Sequence, residues 1–342
     1  MYRYLGSARL KTGEQMEIGV VECPDPSWGA QVKPLLGHKD RPTQEFFNAA
    51  FERPLDDLET RFYLGTIGGL AISNVMIVGA RSGAAGEGTA AGLGAVGILG
   101  HVYTRPEHRQ KGAYRHLMAA QMDDCRRLGY QALTLGTGFE THPYWIYHSF
   151  GFRSIDGVSG KMKWVAGDGF EASWLRPGAT RVRPMRWDDW PRLNLLAFQP
   201  PAANEPLPRS WTFRVKGQGG AVEGMFQVMQ RNVARGSQIT ALALESERGV
   251  PVGWAVLQPD DLAFGDGRLL DLYVHPAFEA DAPQFLAHVP WPERGRVAAY
   301  TTGDDNYRTS ALEQAGFRRA AALPGWLRDG DSRLDLAVWT RA

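Results

Sequence analysis

The chain has 342 residues, about two domains' worth at ~150 residues each, so it can bury more than one hydrophobic core. Hydrophobic residues make up 44% and charged residues 22%, a globular profile rather than a disordered or fibrous one. With 38 Lys plus Arg against 37 Asp plus Glu the net charge is +1, which argues against a nucleic-acid or anionic-membrane binder. In chain order, the patterning predicts a strand near Met16 to Glu22, then helices near Trp28 to Leu36 and Thr43 to Phe51. Arg61 to Ile67 and Leu70 to Val78 read as a hairpin around Gly68-Gly69, a favoured tight-turn pair. A glycine-rich stretch from Gly79 to Gly94 reads as a flexible loop, and Val96 to Thr104 as the next strand. Within that stretch Gly92-Leu93-Gly94-Ala95-Val96-Gly97 matches the dinucleotide fingerprint in letters only. No strand leads in and no helix leads out, so a Rossmann site is discarded.

Further along, Tyr114, Leu117, Met118, Met122, Cys125 and Leu128 lie on one helical stripe that Gly129 is placed to end. A strand from Tyr130 to Leu135 follows. Then the pattern starts again. Strands at Thr180 to Pro184, Gln238 to Leu244, Val250 to Leu257 and Arg268 to Val274, with helices at Asp188 to Phe198 and Glu223 to Ala234, copy the first half. Tyr103-Thr104-Arg105-Pro106 is echoed by Tyr273-Val274-His275-Pro276, and Phe150-Gly151-Phe152-Arg153 by Ala315-Gly316-Phe317-Arg318. The interval from Pro106 to Gly151 nearly equals that from Pro276 to Gly316. Two copies of one fold are therefore expected, residues 1–168 and 179–342, joined through Gly167, Asp168, Gly169, Pro177 and Gly178.

The chemistry concentrates between Val102 and Phe152. Arg109-Gln110-Lys111-Gly112-Ala113-Tyr114-Arg115 is a basic, glycine-containing loop that opens onto a helix. Free amides and the positive dipole end favour a phosphate there, and Gly112 lets the backbone approach closely. Arg109, Lys111 and Arg115 add positive charge. By itself the loop fits a phosphate site and a solvated basic helix cap equally well.

The order of elements around this loop resembles the GNAT superfamily of acyl-CoA-dependent N-acetyltransferases. Its signature runs V-x-P, R/Q-x-x-G-x-G/A, one helix, one strand, then Y-x-x-x-G-F. Arg109-Gln110-Lys111-Gly112 supplies the first four loop positions, Tyr114 departs from Gly or Ala at the sixth, and Tyr147 stands four before Gly151. The tandem layout is similar to the first two domains of the mycobacterial enhanced-intracellular-survival acetyltransferases. The resemblance implies an α/β fold with a mixed, centrally splayed sheet in each copy, and transfer of an acetyl group from acetyl-CoA to the amine of a small-molecule acceptor. It also implies that Val102, Tyr103 and Thr104 present backbone to the thioester. The coenzyme would be held by Arg109, Gln110, Lys111, Gly112, Ala113, Tyr114 and Arg115, with Tyr147 as general acid. Aligned on Pro106 and Pro276, the second copy puts Glu279 at Arg109, Ala282 at Gly112 and Leu312 at Tyr147. A carboxylate repels a pyrophosphate, so the second copy is expected to be degenerate and to serve structure or the acceptor pocket.

No general base is evident. Strand alternation puts His101 on the face opposite Gly100 and Val102, unless a bulge re-aims it, and His142, His148 and Glu140 have no better claim. Trp174, Trp187, Trp190, Trp211 and Trp254 read as core or interface filler. No metal-ligand spacing and no G-x-S-x-G elbow occur, so no metal and no serine triad are expected. Two cysteines, Cys23 and Cys125, are too few for a disulfide framework. The stretch Met1-Tyr2-Arg3-Tyr4-Leu5-Gly6-Ser7 lacks the apolar run of a signal peptide, and Ile67 to Ala80 is too short for a bilayer. Together these predict a cytoplasmic protein with neither nucleic-acid nor membrane partner. The competing reading is a non-catalytic acyl-CoA sensor or partner-binding protein.

Overall fold

A computed structural model describes residues 1–81, 93–199, 223–260, 267–302, 305–329 and 332–342. Two compact units emerge. The first holds Met1–Glu171 together with Trp187–Phe198, and the second holds Ala172–Arg186 and the described residues from Glu223 onward.

The first unit runs β1 (Tyr2–Arg9), β2 (Gln15–Glu22), α1 (Pro26–Leu35), α2 (Arg41–Glu52), β3 (Glu59–Ile67), β4 (Leu70–Arg81) and β5 (Ala95–Thr104). After a 3-10 turn at Pro106–His108 come α3 (Ala113–Arg127), β6 (Tyr130–Gly136), α4 (His142–Ser149), β7 (Arg153–Ser154) and β8 (Lys161–Val165). Local chemistry explains the boundaries. Gly68 and Gly69 both take positive φ, as the tight turn between β3 and β4 requires. The Asp40 carboxylate accepts from Thr43 N at 3.0 Å and caps α2. Strand β1 was not anticipated from the sequence, and helix α5 (Phe170–Trp174) forms within the segment read as a linker. Residues 82–92 of the glycine-rich stretch, and Trp211, lie outside the described residues. Ala95–Gly97 of the fingerprint open β5, so a strand and not a helix follows it.

These strands form one mixed eight-stranded sheet in the order β1-β2-β3-β4-β5-β6-β8-β7. Alternation along β3 shows how its faces are covered. Tyr63 points into the core under α3, among Leu117, Met118, Met122 and Cys125. Phe62 points the other way and stacks on Phe51 of α2 at 4.8 Å. The central pair β5 and β6 is parallel only from Ala95–Ile98 against Tyr130–Thr134, after which the strands part. Beyond that point β5 keeps its other partner, β4, out to Ser73 opposite Thr104.

One buried cluster ties the β1 edge to α3. The Asp124 carboxylate, on a residue 4% exposed, accepts from Arg3 at 3.0 and 2.9 Å, from Tyr63 Oη at 2.9 Å and from Arg127. Burial alone would raise its pKa. The hydrogen bonds from Arg3, Arg127 and Tyr63 outweigh burial and hold it below the usual carboxylate range. Asp124→Ala is expected to cost about 3 kcal/mol, because the Tyr63 hydroxyl is left buried and unpaired, and urea denaturation reads that loss.

Helix α6 (Asp189–Ala197) belongs to the second copy in the repeat reading, yet it clusters with the first unit and packs on β4, β5 and β6. Trp190 meets Phe46 of α2 edge-on at 5.3 Å, and Asn194 Nδ2 donates to Thr134 Oγ1 at 2.8 Å. Every residue of α6 is buried. A helix apolar on most of its circumference cannot lie on a surface, which is why it needs cover from more than one side.

The second unit contains β9 (Thr180–Pro184), α7 (Glu223–Ala234), β10 (Thr240–Ser246), β11 (Pro251–Pro259) and β12 (Arg268–Val274). A 3-10 turn at Pro276–Asp281 leads to α8 (Ala282–Ala287), β13 (Val297–Thr302), α9 (Asn306–Gln314), β14 (Arg318–Asp329) and β15 (Ser332–Arg341). Its sheet, ordered β14-β15-β13-β12-β11-β10-β9, is again mixed. The parallel contact of β12 with β13 is limited to Arg268–Val297 and Leu269–Ala298. Both units are thus α/β, each built on a splayed central pair.

Candidate active site

The basic loop sits directly ahead of α3. Gln110 and Gly112 both have left-handed backbone, φ 62 and 89, and Gly112 is the N-cap. A Cβ at Gly112 would meet nothing nearer than His116 at 3.9 Å, so conformation and not crowding calls for glycine. Arg115 N and His116 N close the first turn on Gly112 O at 3.1 and 3.3 Å. Amides ahead of them have no i−4 carbonyl within the helix, and successive amides around left-handed residues make an anion-binding concavity. Arg109 Nε donates to Thr104 O at 3.0 Å and its guanidinium lies 5.6 Å from the Tyr103 ring, which anchors it to the end of β5. Arg115 reaches Ser149 Oγ on α4 at 3.5 Å. Lys111 differs: its ammonium pairs with Glu14 at 3.2 Å, which offsets much of the charge the sequence assigned to a phosphate.

The strand next to this loop is bent by a bulge. Met76 faces Gly100 and Asn74 faces Tyr103, so His101 and Val102 together stand opposite one residue of β4. His101 takes φ 49, and Asn74 Nδ2 donates to its carbonyl at 2.8 Å. The bulge shifts the alternation by one residue relative to Gly100, yet His101 and Val102 still point to opposite faces, as the sequence leads one to expect. Val102 packs against the α3 core, while the His101 ring turns to the α2 face and meets Phe47 edge-on at 5.0 Å. Tyr103 lies against His38 at 4.7 Å, and Thr104 Oγ1 bonds Ser73 Oγ at 2.8 Å. Nothing in the residue pattern marks the bulge.

Burial, and after it the charge of Lys39, pushes the His101 imidazole down to about 3, with Asp40 opposing. A depressed histidine stays neutral in the fold while the unfolded chain takes up its proton. Stability is then complete above pH ~6.5 and falls as pH drops towards 3. His101→Gln is expected to flatten that slope. Between pH 7 and 3.5 the parent should lose up to about 4 kcal/mol more than the variant in paired denaturant titrations.

Tyr147 lies on the inner face of α4, 6% exposed, with its ring 6.1 Å from both Tyr114 and Phe152. Across the helix Trp145 is 51% exposed, and His142 and Glu140 are exposed as well. His148 stacks with Tyr144 and lies against Trp145, away from the Tyr147 side.

The matching region of the second unit is built differently. Helix α8 spans six residues. Here β11 and β12 pair without a register shift, and two side chains from α9 engage the backbone of β12. Arg308 Nε donates to Leu272 O at 2.8 Å, and Tyr307 Oη accepts from Val274 N at 3.3 Å. Arg308 is itself held by Asp305 at 2.6 Å. The cleft between the diverging strands is stoppered by protein.

Among the described residues no helix is long and apolar enough to cross a membrane, and no cluster of His, Cys, Asp and Glu is placed for a metal. Both cysteines are free thiols.

Residues 39–155, about a third of the chain, match the family model described as "Acetyltransferase (GNAT) domain". No curated protein matches the sequence. Solved structures with similar backbones include a ribosomal-protein-alanine N-acetyltransferase from Brucella melitensis, 17% identical, covering 47% of this chain and 98% of its own, with TM-score 0.37. A Salmonella typhimurium chain described as an acetyltransferase, solved with its cofactor acetyl-CoA, is 16% identical over 48% of this chain and 94% of its own, with TM-score 0.37. A spermidine N-acetyltransferase from Vibrio cholerae, in complex with CoA and spermine, is 9% identical over 47% of this chain and 94% of its own, with TM-score 0.36. On the family match, the segment from 39 to 155, with α2, β3 to β6, α3 and α4, is a GNAT acetyltransferase domain.

Proposed function

We propose that the first unit transfers the acetyl group of acetyl-CoA to the amine of a small-molecule acceptor by direct attack. One observation carries this reading. A β5 segment without a ladder partner on the β6 side, a glycine-capped helix start and the Tyr147 phenol all stand at the same end of one sheet. In that arrangement the amides at 110–115 and Arg109 receive the diphosphate, and the extended pantetheine lies along Leu99–Thr104 in place of the missing strand.

The amine nitrogen attacks the thioester carbon, and an amide of β5 between Val102 and Thr104 stabilises the oxygen on which charge develops. The carbon–sulfur bond then breaks, and Tyr147 gives its proton to the departing sulfur. With Arg308 and Tyr307 occupying Leu272 O and Val274 N, and with Glu279 where Arg109 stands, the second unit is not the one that binds coenzyme. This division of labour is the one found in tandem acetyltransferases of the enhanced-intracellular-survival type. Free thiols and near-neutral charge fit a reducing cytoplasm.

The test is single-turnover release of free thiol from acetyl-CoA with a panel of amines: a polyamine, an aminoglycoside, amino acids and a lysine peptide. Release with at least one amine is expected. Tight acetyl-CoA binding without release from any of them would replace the enzyme by an acyl-CoA sensor.

A further inference from the structure

Tyr147 does not stand alone in its pocket. Tyr114, the second residue of α3, sends its side chain back over the helix start and meets the Tyr147 ring edge-on at 6.1 Å. The Tyr114 hydroxyl donates to Met118 Sδ one turn on at 3.5 Å, and the neighbouring Tyr147 phenol helps to raise its pKa. We propose that Tyr114 is a positioning residue for the general acid, donating its hydroxyl to the Tyr147 oxygen so that the phenolate left after proton transfer is stabilised. The proposal rests on the reading of Tyr147 as the acid.

The step balances without another reagent. As the carbon–sulfur bond breaks, its electron pair stays on sulfur, and the Tyr147 proton moves to that sulfur. The attacking nitrogen releases one proton to solvent as it becomes the amide, the phenolate accepts from Tyr114, and solvent returns one proton to Tyr147 before the next turnover. Burial, and then Tyr147 itself, hold the Tyr114 phenol well above its ordinary range, so Tyr114 keeps its proton while its neighbour gives one up. The loop residue that departs from the family pattern at the sixth position thereby acquires a role. A bulky phenol stands at the start of α3 where the family pattern has a small side chain, next to Tyr147, and it brings a donor with it.

Tyr114→Phe keeps the ring packing and removes only the hydroxyl. With difluorotyrosine placed at position 147, whose phenol titrates near neutrality, fluorine NMR of the CoA-bound protein reads that phenol directly. The midpoint at 147 is expected to rise by about one pH unit in the Tyr114→Phe background, with kcat about tenfold lower in the unlabelled variant and KM for acetyl-CoA unchanged. An unmoved midpoint overturns the role of Tyr114 and leaves Tyr147 untouched. A moved midpoint combined with full turnover in Tyr147→Phe overturns the acid reading, and this inference with it.

Discussion

Tyr147→Phe is expected to lower kcat about a hundredfold, or about 2.7 kcal/mol of barrier, while the dissociation constant for acetyl-CoA barely changes. The phenyl ring retains its contacts with Tyr114 and Phe152, so α4 keeps its place and the coenzyme loop on α3 is undisturbed. What disappears is one proton at the moment the thiolate leaves. An effect confined to the transition state reduces kcat and kcat/KM together, whereas a packing defect would also loosen coenzyme binding. Stopped-flow detection of free thiol and calorimetry on the same preparation separate the two. Undiminished thiol release would remove Tyr147 from the mechanism.

Charge reversal at the loop should act on the opposite quantity. Arg109 is anchored by Thr104 O and Tyr103 next to the start of α3, so a glutamate there puts a carboxylate where the proposed site needs a cation facing two phosphates. At ~5 Å and an effective dielectric of ~40 to 80, each charge pair is worth about 1–2 kcal/mol, and inverting the sign against both phosphates costs about 4 kcal/mol. That corresponds to about a thousandfold loss of acetyl-CoA affinity, shrinking as salt is added because the loop is exposed. The second copy already carries this substitution as Glu279. Calorimetric titration at two ionic strengths checks the prediction, and equal affinities for parent and Arg109→Glu would mean the diphosphate binds elsewhere. Lys111→Ala should matter much less, because Glu14 already offsets that ammonium.

Much of this architecture is legible without coordinates because its causes are local. The stripe Leu117, Met118, Met122, Cys125 dictates one face of α3, and Gly129 at φ 78 ends the helix as read. Gly68-Gly69 favours a tight turn, and the Leu- and Tyr-rich segment Arg268–Val274 reads as a strand. Spacing from the basic loop to Tyr147 survives because one helix and one strand of ordinary length lie between them. Residue pattern therefore determined the repeat and the helix with its charged glycine loop, and the family resemblance carried by that pattern implied the α/β plan and singled out the tyrosine.

Tertiary structure decided the rest. His101 sits in a bulge because one extra residue in β5 shifts the register against Asn74 and Met76, and pairing across strands is invisible to a period counted along one strand. Helix α6 left its own copy for the first sheet because Trp190 and its apolar neighbours needed more cover than a surface offers. Arg308 and Tyr307 reach the β12 backbone, Glu14 captures Lys111, and Tyr114 finds Tyr147, each across a long stretch of chain. Such contacts depend on where distant segments come to rest, and composition carries no record of that.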